Sequence, residues 1–196
     1  MEEIPKYKIG YFDPPWSFEP WGDQTNSLVK SPQMHYDCMS IDEMCGLPVK
    51  ELFDDNALAA CWTYDPMYPE ALRLMKAWGF EYVTVLFRWL KTTEDPGQLH
   101  LFPIELPSFP IATGYHTRTG GCEECWLFKR GNGLPVLRHD IRREFYSMVR
   151  EHSRKPDQVR DWIVDLYGPQ PRVEFFARTR TQGWDIMFSN QADKFK

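Results

Sequence analysis

The chain has 196 residues, a net charge of −5 and 42% hydrophobic content, enough for one domain with a sizeable core. That charge gives no overall attraction to a polyanion, and no apolar run approaches the roughly 20 residues of a membrane span. Residues 1–5 lack the basic start and apolar run of a secretory signal, and five scattered cysteines argue for reduced thiols in a cytoplasmic compartment.

Residues 7–12 read as a strand, and Asp13-Pro14-Pro15-Trp16 follows at once. Proline fixes its own φ and biases the preceding residue toward extended geometry, so the Asp13 carboxylate and the Pro14 carbonyl are two stiffly held acceptors. With the flat face of Trp16 beside them, they suit a planar ring carrying an exocyclic NH2 group. The alternative is a proline-rich turn with Trp16 in the core. Residues 17–36 form a polar loop. Ser40 caps a short helix, with Glu43 three residues on completing a capping box.

Residues 57–62 read as the next strand. A helix follows over 69–78, with Pro69 in its first turn, Ala71, Leu72, Met75 and Trp78 on one face, and Gly79 at its end. Residues 82–89 are again a strand. Over 92–121 the prolines Pro96, Pro103, Pro107 and Pro110 exclude regular structure, and a loop that long is functional or disordered. The sheet resumes at 125–128, with a weaker strand at 144–148. Residues 156–167 read as a helix with Val159, Trp162, Ile163 and Leu166 on one face and Gly168 as terminator; 173–176 is the last strand. Strands alternating with helices predict an α/β sheet with crossover helices in a single domain, 1–196.

Two local patterns point less sharply. Cys122 and Cys125 have the spacing of half a zinc site, but no second pair follows, so no metal is assigned and Cys125 opens a buried strand. Arg138, Arg142, Arg143, Arg150, Arg154, Lys155 and Arg160 crowd one stretch. They form either a phosphate-facing patch or a solvated helix face.

Taken in order, several segments carry a resemblance. They are Asp13-Pro14-Pro15-Trp16, His35-Tyr36, Met39-Ser40 with Glu43, Leu47-Pro48-Val49, Trp62-Thr63, Trp78-Gly79-Phe80, and Trp89 with Lys91. They continue through Gly114-Tyr115 with Arg118, Glu123 or Glu124, His152-Ser153-Arg154-Lys155-Pro156-Asp157, Glu174-Phe175-Phe176-Ala177-Arg178 and Gly183-Trp184. Together they resemble the adenine-N6 methyltransferase family of the catalytic subunit of the mRNA methyladenosine writer, a family with compact bacterial and phage members. The resemblance implies a Rossmann-like methyltransferase sheet with helices on both faces. Its motif order is permuted, the catalytic segment preceding the cofactor segment.

It also implies roles. Asp13, Pro14, Pro15 and Trp16 are the catalytic segment. Glu174-Phe175-Phe176-Ala177-Arg178 stands where other folds have a glycine-rich cofactor loop. Lys155 meets the methionine carboxylate of S-adenosylmethionine, Arg178 its ribose, and Asn190 and Gln191 its adenosine part; Glu174 and Arg180 belong to the same set. Arg180 and Thr181 depart from the His-Asn pair of eukaryotic relatives. His35, Tyr36, Tyr115, His116 and Arg118, in loops 17–36 and 92–121, are the substrate candidates.

The chemistry implied is direct methyl transfer. Asp13 and the Pro14 carbonyl bind the two amino hydrogens of adenine, and its nitrogen then meets the activated methyl group in line, with no metal and no covalent intermediate. The expected partner is nucleic acid, DNA favoured over RNA, in a bacterial or phage-infected cytoplasm; homo- or hetero-oligomerisation is left open. The alternatives are an RNA adenine-N6 methyltransferase and a non-catalytic nucleic-acid-binding subunit of a methyltransferase pair. Cytosine or protein-amide methyltransferases more often carry Ser or Asn in place of Asp13 and Tyr in place of Trp16.

Overall fold

A largely apolar hexapeptide buried on both faces makes an inner strand, β1 (Tyr7–Phe12), in which only Lys8 is partly exposed. The computed structural model describes residues 6–16, 39–93, 121–150, 154–177 and 179–189. After β1 come the short helix α1 (Ile41–Cys45), β2 (Phe53–Thr63), α2 (Tyr68–Ala77), β3 (Glu81–Thr92), β4 (Cys122–Arg130) and β5 (Glu144–Met148). The chain then forms α3 (Gln158–Tyr167), β6 (Arg172–Phe175) and β7 (Asp185–Met187).

The seven strands lie in the order β5-β3-β4-β2-β1-β6-β7. Every neighbouring pair is parallel except those made by β4, which runs antiparallel to both β2 and β3. In register, Phe12 of β1 lies beside Cys61 of β2 and Phe175 of β6, so the carboxyl ends of these three strands meet at one rim. Crevices beyond such ends are where ligands bind in open α/β sheets. Among the described residues no helix is long and apolar enough to cross a membrane.

Each face of the sheet carries its own core. α1 and α2 cover one, where Phe12, Phe53, Trp78 and Phe175 pack together. Phe12 stacks on Phe175 with centroids 4.5 Å apart and on Trp78 at 5.2 Å. α3 covers the other, setting Val159 and Ile163 against Tyr11, Trp62, Trp89 and Trp184. Gly10 makes the first core feasible: a Cβ there clashes with the Phe12 ring and comes within 2.7 Å of Phe53 Cζ.

The predicted elements recur with adjusted ends. The capping box at α1 is complete: Ser40 Oγ accepts the Glu43 N–H at 3.2 Å, and the Ser40 N–H donates to Glu43 Oε2 at 2.8 Å. β2 and β3 outrun their apolar cores, and β4 begins at Cys122 rather than Cys125, because strand pairing continues into charged sequence at the rim. Leu72 is 43% exposed, whereas Ala71, Leu74 and Met75 face inward. The helical period joins 71, 74, 75 and 78 and sets 72 to one side. α3 starts at Gln158 and ends where expected, Gly168 adopting φ 81° and donating its N–H to Val164. The last strand stops at Phe175, because Phe176 turns into the left-handed region at φ 61°. β7 has no counterpart among the predicted strands. The loops predicted over 17–36 and most of 92–121 lie outside the described residues.

The packing around Gly10 gives a direct test. Gly10→Ala is expected to lower unfolding free energy by about 1–3 kcal/mol through overpacking. Denaturant titration should show a lower midpoint at unchanged slope.

Candidate active site

The turn after β1 folds back on itself. The Trp16 backbone N–H donates to the Pro14 carbonyl at 2.8 Å, and the Met39 N–H reaches the Pro15 carbonyl at 3.4 Å. A carbonyl has two lone pairs, so the Pro14 oxygen keeps one for another donor. Trp16 is 8% exposed and belongs to the first core, with its indole N–H donating to the Trp62 carbonyl at 3.2 Å. Asp13 projects from this turn with 17% of its side chain exposed.

Lys155, in the segment leading into α3, meets it there. Its ammonium is 2.9 Å from Asp13 Oδ1 and 3.1 Å from Glu123 Oε2, and 5.7 Å from the centroid of Trp62. Glu123 in turn pairs through Oε1 with Lys91 at the end of β3. Four charges therefore alternate in sign along the rim and sum to zero, and Lys155 and Glu123 are both buried. Burial alone favours the neutral lysine; the Asp13 and Glu123 carboxylates outweigh it and push the ammonium above its ordinary pKa. Burial likewise raises the Glu123 carboxyl, but Lys155 and Lys91 overcome this and hold it at about 2.

A second buried pair stands behind the first. Arg160 of α3 grips Glu174 of β6 with both ends of its guanidinium, Nε at 2.8 Å and Nη2 at 2.5 Å. Arg160 also lies 5.0 Å from the Tyr11 ring, and the Tyr11 hydroxyl accepts the Trp62 indole N–H at 2.6 Å. Burial is the main influence on Glu174 and raises its pKa, with Arg160 pulling the other way.

The expected site residues fall into three groups. Asp13, Pro14, Pro15, Trp16 and Lys155 come together at the rim. Glu174, expected among the cofactor ligands, lies just below it with both oxygens on Arg160, and Arg180 sits beyond β6 in an exposed turn. Arg178, Asn190, Gln191, His35, Tyr36, Tyr115, His116 and Arg118 lie outside the described residues.

Glu123 and Lys91 were motif matches without a role, yet they complete the charge chain. The signal was available: an acid inside an apolar strand demands a cation. Part of the arginine stretch is paired within the chain. Arg150, Arg154 and Arg160 converge on Asp157, and Arg138 pairs with Asp140 and Asp165. Residues 138–150 form loop and β5, so no helix carries them.

Comparison with known proteins decides the family. The MT-A70 family model matches residues 7–188. The chain belongs to the MT-A70 family. Similar proteins include the type II methyltransferase M.MunI of a Mycoplasma species, 27% identical across 92% of this chain and 76% of that enzyme. An N(6)-adenosine-methyltransferase MT-A70-like protein of Drosophila melanogaster is 28% identical across 98% of this chain and 28% of its own length. The N6-methyladenosine RNA methyltransferase MTA1 of Pyricularia oryzae is 25% identical, with 94% and 46% covered. The sheet is thus the S-adenosylmethionine-dependent methyltransferase fold of MT-A70 proteins, and the chain spans most of the bacterial relative but under half of these eukaryotic ones.

The MT-A70 rim carries a pH signature. The Glu123 carboxyl lies at about 2, below its ordinary 4.5, so its ionised form is favoured by folding. That contribution is complete above pH about 4.5 and lost as pH falls toward 2. Urea melts across this range are expected to show falling stability, and Glu123→Gln should flatten that part of the slope.

Proposed function

We propose that this MT-A70 chain is an S-adenosylmethionine-dependent N6-adenine methyltransferase of nucleic acid, with DNA the favoured polymer. The observation that carries the reading is the pairing of the Asp13 carboxylate, at the carboxyl end of β1, with the buried Lys155 ammonium. It joins the catalytic and cofactor segments of the family pattern in one place.

S-adenosylmethionine, when bound, supplies a methyl group activated on a sulfonium. The residues fit such a ligand. A buried ammonium suits its carboxylate, and Thr63 Oγ1, at the end of β2 beside the Trp62 carbonyl, is buried with no hydrogen-bond partner among the described residues. An unmet buried hydroxyl costs about 1–3 kcal/mol, which a polar ligand or a water molecule relieves. Lys155 holds the carboxylate, and Arg178, Arg180, Asn190 and Gln191 belong to the cofactor side. Glu174 contributes by fixing the end of β6 through Arg160.

On the substrate side, Asp13 accepts one amino hydrogen of adenine and the remaining lone pair of the Pro14 carbonyl accepts the other. Pro15 keeps the turn stiff, and Trp16 anchors it through the first core and the Trp62 carbonyl. The Asp13 carboxylate lies opposite the positive charge that develops on the nitrogen, as its electrostatic partner or as acceptor of the proton the nitrogen gives up. By the family resemblance, His35, Tyr36, Tyr115, His116 and Arg118 are assigned to the substrate side.

DNA is favoured because the chain covers three quarters of a type II methyltransferase, against under half of the relative whose name specifies RNA. A base in duplex must leave its stack at a cost of a few kcal/mol, so single strands should react faster than duplex.

Labelled S-adenosylmethionine offered with single-stranded DNA, duplex DNA and RNA, followed by nucleoside analysis, tests the reading. The expected product is N6-methyladenine in DNA. Label in RNA alone would transfer the activity to RNA, and label on cytosine or protein would overturn the adenine assignment. Asp13→Ala is expected to lose about 10²-fold or more in turnover, by analogy with the loss of a preorganised catalytic donor. Wild-type turnover in that variant would remove Asp13 from the mechanism.

A further inference from the structure

The Lys155 ammonium lies at nearly equal distances from two carboxylates, 2.9 Å from Asp13 and 3.1 Å from Glu123. Only Asp13 belongs to the segment that takes the amino group. An ammonium closed on Asp13 Oδ1 leaves lone pairs on the carboxylate, but its positive charge makes the whole group a weaker acceptor for an amino N–H. A second carboxylate on that ammonium offsets part of this effect.

We propose that Glu123 is a positioning residue: it draws the Lys155 ammonium off Asp13, and Lys91 sets how strongly it does so. The inference rests on the reading of Asp13 as the amino-group acceptor.

Strand geometry puts Glu123 in position. β4 is the antiparallel strand, so it enters the sheet at the rim where its neighbours end, Glu123 opposite Trp89 and Glu124 opposite Thr63. Alternation directs residues 123, 125 and 127 to one face. Cys125 and Leu127 there join the core that contains Trp62 and Tyr11. Glu124 faces the opposite side, accepting from Arg88 at 2.6 Å, Trp126 at 2.7 Å and Tyr68 at 3.1 Å.

The two Glu123 oxygens are divided between the lysines, Oε1 to Lys91 and Oε2 to Lys155. Removing Lys91 leaves the whole negative charge of Glu123 to act on Lys155. Removing the charge of Glu123 removes its pull on Lys155 and leaves the pairing with Asp13 in place. The two changes therefore act in opposite directions on one ammonium.

Calorimetry with S-adenosylhomocysteine and turnover on single-stranded DNA test the inference together. Glu123→Gln removes a competitor for Lys155, so its affinity for S-adenosylhomocysteine should equal the wild type or rise a few-fold. Its turnover should nevertheless drop at least tenfold. Lys91→Met, a partly exposed position, should bind a few-fold more weakly. In a Lys155→Met background, Glu123→Gln should bring no further loss of turnover, because the group it works through is gone.

Tenfold weaker binding by Glu123→Gln, at a retained melting temperature, would overturn the inference, as would losses that multiply in the double variant. If the wild type methylates no adenine, the functional reading fails, and the opposed binding shifts of Glu123→Gln and Lys91→Met still decide whether Glu123 governs Lys155.

Discussion

A lysine ammonium held out of water between two carboxylates is the constraint on which this rim depends. Moving an ion into a protein interior costs several kcal/mol even after relaxation, and is offset only where partners lie at hydrogen-bond distance. Asp13, Lys155, Glu123 and Lys91 meet that requirement collectively, each cation lying between or beside anions. Because every member depends on its neighbours, the turn after β1, the start of β4 and the approach to α3 are tied to one another.

Behind this chain, polar and aromatic contacts join the two halves of the sheet. The Trp62 ring lies beside Lys155, its N–H reaches Tyr11, and Tyr11 faces the guanidinium that holds Glu174. A buried Arg–Glu pair with two-point contact is far more sensitive to geometry than a surface pair, since either partner left alone is an uncompensated charge. It fixes α3 against β6, and thereby the position from which Lys155 approaches the rim. The stack of Phe12 on Phe175 does the same from the opposite face. The site stands on strand ends locked from both sides, which suits chemistry that relies on orientation.

The arginines teach a different lesson about charge. In a cluster that looks like a phosphate-binding patch in one dimension, Arg138, Arg150, Arg154 and Arg160 find acids within the chain once Asp157 and Asp165 are brought in. Three arginines sharing Asp157 organise the start of α3 beside Lys155. Asp157 answers one of their three charges and Glu174 a second, through Arg160.

What the sequence determined by itself was local: where strands and helices fall, the capping box of Ser40 and Glu43, the stop at Gly168, and the stiff acceptor turn at Asp13. These follow from periodicity and from the restricted dihedrals of proline and glycine, which need no distant partner. The family, too, was legible in the order of its short motifs. Only the tertiary structure decided which charges meet. Asp13, Lys91, Glu123 and Lys155 are far apart in the chain, and β4 delivers Glu123 to the rim by running against its neighbours. β7 escaped the one-dimensional reading because three residues carry too little pattern, and its pairing with β6 exists only once the sheet has formed. Pairing of buried charges is a property of topology, since the desolvation that makes each partner indispensable arises only when distant strands close around it.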